Sequence, residues 1–241
     1  MDYQTFQELF QQLSIKNNTQ ELTNGNERDF YTLTEHLLKI NEITNLTAIR
    51  NIPDIIAKHY IDSLLAAEFI PFGSRVLDIG CGPGFPTLPL AIARRDLQIT
   101  ALDSTQKKIN FVKETATLLS LKNVFAISAR AEDHDTLNKL GKFDVVTSRA
   151  VARLSILSEL AIPYVKIGGS LIALKAAKAD GELTEAASGI SKLGGATPIM
   201  HKKALCCADS DEERCIIVIP KSKETPVAYP RSFGAIKKKP L

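Results

Sequence analysis

Apolar residues along this chain follow two rhythms, and the change falls near residue 70. In the first part they recur at spacings of three and four. Phe6, Leu9, Phe10 and Leu13 share one face, and Phe30, Leu33, Leu37 and Ile40 share another, the period of helices with one buried stripe. Asn17-Asn18-Thr19 and Asn24-Gly25-Asn26 interrupt the pattern with residues that favour turns. A third helix is expected to open at Asn51 with Pro53 in its first turn, where a missing N–H loses no bond. Its buried face would carry Ile55, Ile56, Tyr60 and Leu64, and Pro71-Phe72-Gly73 closes the region. From residue 75 continuous apolar runs take over, at 76–79, 99–102, 124–127, 145–147, 171–174 and 216–219. Helix-length stretches lie between most of them, at 88–94, 105–119, 133–140, 154–165 and 181–193. Such runs are strands buried on both faces by crossover helices, so the expected fold is α/β, a doubly wound, mostly parallel sheet behind an N-terminal helical extension.

Composition adds boundaries. With 241 residues, 44% of them hydrophobic, the chain supports one sizeable core. No apolar run is long enough to span a bilayer, and the polar start lacks the basic and apolar regions of a signal peptide. A cytoplasmic protein without membrane contact is expected. Of four cysteines, Cys81 lies in a glycine-rich loop, while Cys206, Cys207 and Cys215 have neither C-x-x-C spacing nor a histidine pair. They read as small buried thiols, and no metal is expected. The net charge of +3 is unevenly placed: six of the 30 Lys and Arg but only one of the 27 Asp and Glu fall in residues 221–241. A basic tail of this kind suits either an anionic macromolecule or plain solvation.

The chemistry begins in VLDIGCGPGF, residues 76–85. An apolar strand runs into Asp78, then Gly80, Gly82 and Gly84, and a helix follows near Thr87. Glycines are needed where the backbone turns sharply and approaches a ligand. The helix start beyond offers unpaired N–H groups to an anion such as a methionyl carboxylate. Asp78 complements a cationic ammonium and sulfonium. The dinucleotide fingerprint G-x-G-x-x-G places its third glycine one position later and requires no carboxylate ahead of the first. The D-x-G-x-G-x-G spacing, with an acidic residue ending the next strand, therefore favours S-adenosylmethionine over a nicotinamide or flavin. That acidic residue, Asp103, can receive both hydroxyls of a ribose, while Ser104 can cap the helix that follows. Ala131 and Glu132 fall where a loop would meet adenine; Glu132 equally suits a helix start. FDVVTSRA, residues 143–150, delivers Ser148 and Arg149 to the carboxyl edge of the sheet, where open α/β folds bind ligands.

Taken together these segments resemble the bacterial 16S ribosomal RNA guanine-N7 methyltransferase family, also called glucose-inhibited division protein B. The similarity covers NLTAIR (45–50), HYIDSL (59–64), VLDIGCGPGFPTLPLAI (76–92), LDSTQKK (102–108), SRAVA (148–152) and YPRSFGAIKKKPL (229–241). It implies a Rossmann-like class I methyltransferase with a seven-stranded sheet. The helical extension would occupy residues 1–70, the S-adenosylmethionine-binding domain 71–220 and the basic tail 221–241. Carried over by position, cofactor contacts are implied for Gly80, Phe85, Ala131, Glu132 and Arg149, with Asp103, Ser104 and Thr105 added at the ribose. Arg130 to Asp133 departs modestly from the family pattern.

The resemblance also implies a substrate, N7 of a guanine in 16S ribosomal RNA or the small ribosomal subunit. This nitrogen carries a free lone pair, so no general base is required and the chain's task is alignment in line with the donor. Candidate RNA contacts are Arg50, His59, Lys175, Arg231, Lys237, Lys238 and Lys239. His59 and Asp62 share a helix face, so a local hydrogen bond is the competing role for this histidine. An unpaired base needs an aromatic surface, and with no Trp in the chain Phe85 or Tyr229 would provide it. A monomer is expected. A nicotinamide oxidoreductase and a non-catalytic RNA-binding protein are the competing classes; the glycine spacing disfavours the first, and the intact loop with Asp78 and Asp103 disfavours the second.

Overall fold

Strand order in the computed structural model, which describes residues 1–176 and 180–241, is β3-β2-β1-β4-β5-β7-β6. The strands are β1 (Arg75–Ile79), β2 (Gln98–Asp103), β3 (Val124–Ser128), β4 (Phe143–Arg149), β5 (Val165–Ala176), β6 (Ile199–Leu205) and β7 (Glu212–Pro220). The first five pair in parallel, and β7 runs antiparallel between β5 and β6. The chain starts at β1, works outward through β2 and β3, then crosses to β4. Between β1 and β4 the connections diverge, which opens a crevice at the carboxyl ends of the strands.

The N-terminal helices are α1 (Tyr3–Lys16), α2 (Gln20–Thr23) and α3 (Glu27–Thr44). Asp2 caps α1 by accepting the Thr5 N–H. A continuous helix then runs through α4 (Ile52–Asp54), a π-helical stretch (Ile55–Ile61) and α5 (Asp62–Leu64), opened by an Asn51 cap. Together with α6 (Thr87–Ala93) and α7 (Gln106–Leu118) these helices bury one face of the sheet around Phe6, Phe10, Phe30, Tyr60 and Phe111. The opposite face packs on α8 (His134–Leu140), α9 (Leu154–Ala161), α10 (Asp180–Lys192) and α11 (Phe233–Lys238), through residues such as Leu157, Tyr164, Ile190 and Ile236. No helix of the described residues is long and apolar enough to cross a membrane.

Several expectations are corrected. The helix expected over 154–165 ends at Ala161, and Ile162–Tyr164 continue as a 3-10 turn, because Pro163 cannot donate into an α-helical ladder. The apolar run 171–174 is the inner part of a twelve-residue strand. Its start follows an irregular register beside β4, where the Gly169 backbone lies too close to the Asp144 carbonyl for any Cβ. Strand β6 had no matching apolar run because it is an edge strand whose residues are mostly exposed or half-buried. Residues 221–241 are folded. Lys221 is buried and donates to the carbonyls of Ile162 and Leu193, each at 3.0 Å, and to the Thr225 hydroxyl. Ile236 is fully buried, and Leu241 packs so closely on Gly189 that a Cβ there would collide with it.

Candidate functional site

Strands β1, β2 and β4 end side by side, and a cavity of about 510 Å³ opens over their carboxyl edge. Gly80, Gly82, Phe85, Asp103, Ser104, Thr105, Ala131, Glu132 and Arg149 all line it. The turn that follows β1 is built from residues with positive φ: Gly80 at 68°, Gly82 at 55° and Gly84 at 93°. Their reasons differ. A Cβ on Gly80 would strike the Val151 side chain across the cavity floor, whereas one on Gly82 would point into open space. Gly84 does not line the cavity, and a Cβ there would press on Leu88 and Val112 in the core.

Asp103 organises this turn. One carboxylate oxygen accepts the Gly82 N–H at 3.0 Å and the other accepts the Thr105 N–H at 2.8 Å. The same side chain thus holds the glycine turn against the start of α7. Lys108 lies 3.9 Å away on the cavity wall. The ring of Asp103, Ser104 and Thr105 adjoins an apolar wall that includes Ile79, Leu102, Ala129, Ala131 and Leu160. Tyr164, from the core beneath, donates its hydroxyl to the Ala131 carbonyl at 2.9 Å and fixes that loop. Glu132 is paired with Arg130 at 3.2 Å.

Asp78 stands apart. It is fully buried and does not line the cavity. Its two oxygens accept the hydroxyls of Thr87 (2.7 Å) and Thr147 (3.1 Å), tying α6 and β4 to β1. Burial pushes its carboxyl up to about 7, against the opposing pull of those hydroxyls. Its position ahead of the glycines suggested a charge set against the ligand. The side chain instead points into the core and secures the elements that carry the glycine turn.

Arg149 reaches the cavity from the end of β4 and is held by the π-helical stretch. It donates to the Lys58 carbonyl at 2.6 Å and to the Asp62 carboxylate at 3.0 Å, and its second amino group lies 3.3 Å from His59 Nδ1. A guanidinium has no acceptor, so Nδ1 must accept and the histidine proton resides on Nε2. That nitrogen faces the Thr47 hydroxyl at 2.9 Å. Desolvation, with Arg149 beside it, lowers the His59 pKa to about 3, so the ring stays neutral. It stacks on Phe85 at 4.4 Å with planes 8° apart. A π-helical stretch offers a wider turn than an α-helix, and such stretches often occur at functional sites.

Three of the RNA candidates, and both rings suggested for an unpaired base, are repositioned by these contacts. His59 is 7% exposed, bonded to Thr47 and Arg149, and what surface it keeps lines the cavity. Lys175 donates to the Ala152 carbonyl and pairs with Glu182 at 2.8 Å, bracing the loop after β4 rather than projecting beside the cleft. Arg231 donates two parallel hydrogen bonds to Glu159, Nε to Oε1 at 2.8 Å and an amino group to Oε2 at 2.6 Å. Its backbone N–H joins at 2.9 Å. Because Glu159 is 0% exposed, this pair secures the C-terminal strap. Tyr229 is half-buried, with Lys192 and Arg231 at 5.5 and 6.0 Å from its ring centre, and does not line the cavity; Phe85 lines it but is only 3% exposed, stacked against His59. Arg50 is exposed, bonded to Asn45 at 3.2 Å, on the loop whose Leu46 and Thr47 line the cavity. Lys237, Lys238 and Lys239 are exposed.

The sequence profile described as rRNA small subunit methyltransferase G, GidB, matches residues 26–207 of the chain. The chain belongs to this family. Curated relatives carry the name ribosomal RNA small subunit methyltransferase G. That of Lactobacillus delbrueckii subsp. bulgaricus is 39% identical over 97% of this chain and 99% of its own. That of Lachnoclostridium phytofermentans is 44% identical over 85% of each chain. Among solved structures, an O-methyltransferase from Bacillus cereus in complex with SAH superposes with a TM-score of 0.55, at 16% identity, over 78% of this chain and 90% of the other. A precorrin-6y C5,15-methyltransferase from Geobacter metallireducens gives 0.52 at 15% identity, over 74% and 92%. These two likenesses concern the fold, the Rossmann-like arrangement of methyltransferases.

Sequence reasoning missed several residues of the site. Arg214 on β7 donates to the second oxygen of Asp62 at 2.9 Å, so this carboxylate is shared by two guanidinium groups. Glu212 bridges Arg214 at 2.8 Å and Lys58 at 3.1 Å. Nothing in local spacing links β7 to a helix 152 residues earlier. Phe233 also lines the cavity; its only sequence signal was membership of the closing YPRSFGAIKKKPL segment.

Proposed function

We propose that this protein binds S-adenosylmethionine in the cavity over β1, β2 and β4 and methylates N7 of a guanine in 16S ribosomal RNA, acting as a cytoplasmic monomer on RNA or on the small ribosomal subunit. The observation that carries the reading is the Asp103 arrangement: one carboxylate closes the glycine turn and the head of α7, at the mouth of a cavity with one apolar wall. Family membership supports the ribosomal RNA substrate.

The residues present suit the cofactor. A volume near 510 Å³ lies within the range of small-molecule sites. Gly82 leaves open the space that a Cβ would fill. Ala131 and Leu102 offer an apolar surface to a purine, and the oxygens of Asp103 retain lone pairs for a diol. Glu132, Ser104 and Thr105 add acceptors around it, and Gly80 gives close access to the backbone. Phe85 and Arg149 close the side beneath the π-helical stretch and α5. When bound, S-adenosylmethionine supplies a methyl group activated by a sulfonium.

The chain's own contribution is alignment. Guanine N7 needs no deprotonation, so no side chain has to remove a proton. The neutral, twice-bonded His59 and the doubly occupied Asp103 fit a site built for positioning. Fixing donor and acceptor in line contributes as much as about 7–11 kcal/mol to such reactions. A methylated guanine carries a new positive charge, and the Arg149 charge is already balanced by Asp62 at 3.0 Å, which limits repulsion of that product.

Calorimetry with S-adenosylhomocysteine, with NADH as the control ligand, tests the cofactor. Mass mapping of ribosomal RNA nucleotides from cells with and without the protein tests the target. Affinity for NADH alone, or an unchanged map, would refute the respective half of the proposal.

A further inference from the structure

We infer that Phe233 is the platform on which an unpaired base of the RNA substrate stacks, held over the cavity by the C-terminal strap. The inference rests on reading the cavity as an RNA methyltransferase site. Three aromatic rings line that cavity: His59, Phe85 and Phe233. The first two stack on each other at 4.4 Å and are 7% and 3% exposed, so little of either ring is open. Phe233 is 40% exposed and pairs with no other ring among the described residues. It opens α11 and borders two spaces at once. One is the cavity itself; the other is an open cleft of about 910 Å³ whose walls include Arg130, His134 and Ser232. An apolar ring left in water between a small-molecule cavity and a wide cleft is the arrangement an incoming base requires, because every base presents a π-face and stacking needs no sequence-specific bond.

The strap makes this placement definite. Arg231, two residues before the ring, is locked onto the fully buried Glu159 and also donates to the Lys239 carbonyl at 3.0 Å. Ile236, three residues after the ring, is anchored in the core. Between these fixed points Phe233 has little freedom to turn away. The exposed Lys237, Lys238 and Lys239 follow on the same short helix or at its end, where they suit phosphates adjoining the stacked base. Arg231 is thus a positioning residue for the ring and not itself an RNA contact.

The test compares the wild-type protein with Phe233→Ala, Phe233→Leu and Phe233→Tyr. Filter binding of small-subunit ribosomal RNA gives affinity, labelled methyl transfer gives KM and kcat, and calorimetry gives affinity for S-adenosylhomocysteine. Loss of one stacking platform weakens binding by about 5- to 150-fold. Phe233→Ala should raise Kd and KM for RNA by a factor in that range with cofactor affinity unchanged. Phe233→Leu should stay close to Ala, and Phe233→Tyr should recover. Unaltered RNA binding in Phe233→Ala overturns the inference. An equal loss of S-adenosylhomocysteine affinity also overturns it, assigning the ring to the cofactor. The two levels of the reading separate cleanly: RNA binding that depends on Phe233 without any methyl transfer leaves the platform standing and removes the proposed activity. A wild-type protein that does not bind RNA removes both.

Discussion

Glu159 and Arg231 offer the sharpest check on how the C-terminal strap is held. Glu159 is fully buried in α9, and every hydrogen bond its side chain accepts among the described residues comes from Arg231. Removing one partner of a buried pair costs about 3–5 kcal/mol, since the other charge is left stranded. The two single variants should differ. Arg231→Met strands a carboxylate in the core and should approach that range. Glu159→Gln strands a guanidinium whose side chain is 27% exposed, and partial hydration reduces the loss to about 2–3 kcal/mol. In the double variant Glu159→Leu/Arg231→Met no charge is stranded, so it should lie closer to the wild type, less about 1 kcal/mol for the Arg231 N–H left without its acceptor. The strap can open without global unfolding, so the readout is tryptic cleavage at Lys237–Lys239 together with amide exchange of Ile236. Rates should rise roughly 30- to 150-fold in Glu159→Gln and further in Arg231→Met. If the double variant opens as readily as Arg231→Met, the stranded-charge reasoning is wrong.

Other outcomes bear on the site and its surroundings. The Asp78 carboxyl, raised to about 7, keeps a proton in the folded chain that the unfolded chain releases near its ordinary value of 3.8. Stability should therefore fall as pH rises from about 4 to 7, by as much as about 4 kcal/mol, and Asp78→Asn should flatten the melting profile; an identical slope in that variant refutes the assignment. His59 acts in the opposite sense. Its pKa falls from 6.5 to about 3 on folding, so its contribution is complete above pH 6.5 and is lost as pH drops toward 3. A His59→Gln protein should show a shallower loss of melting temperature over that window. Gly80→Ala should abolish S-adenosylhomocysteine binding by driving a methyl group into Val151, whereas a Val151→Gly/Gly80→Ala double variant should recover part of it; calorimetry decides. Replacing Lys237, Lys238 and Lys239 by Gln should reduce the salt dependence of RNA binding by a slope of about 2, near 0.7 per phosphate contact. No change in slope would remove them from the interface.

The parallel core was legible because β1, β2, β4 and the inner part of β5 are buried on both faces, and a short continuous apolar run between turn residues suits a strand enclosed by helices on either side. Asp103 and Arg149 were placed correctly at the sheet edge for the same reason: each ends a readable strand. What escaped detection depends on partners distant in sequence or on geometry that leaves no pattern. Strand β6, IMHKKAL, pairs with β7 alone among the described residues and is mostly exposed or half-buried, so its side chains need not be apolar. The π-helical stretch differs from an α-helix in hydrogen bonding, while its apolar face reads the same. Arg231 was read as an RNA contact and Lys221 as part of the basic tail, since no local feature reveals Glu159, 72 residues away, or the carbonyls that bury Lys221. Asp78 looked like a ligand group because it precedes the glycines. Its threonine partners sit nine and 69 residues further on, at spacings that carry no signal.

Asp62, shared between Arg149 and Arg214, joins the crevice mechanically to the far rim of the sheet. From Arg214 the linkage passes through Glu212 and Lys58 to Asp54, 3.1 Å beyond, so a chain of ion pairs ties the antiparallel hairpin to the π-helical stretch. The hairpin therefore does more than end the sheet: through Asp62 it helps to hold the guanidinium that lines the cavity, which β6 and β7 do not themselves line. On the proposed function, a substitution at Arg214 should therefore alter S-adenosylhomocysteine affinity although the side chain lies outside the cavity.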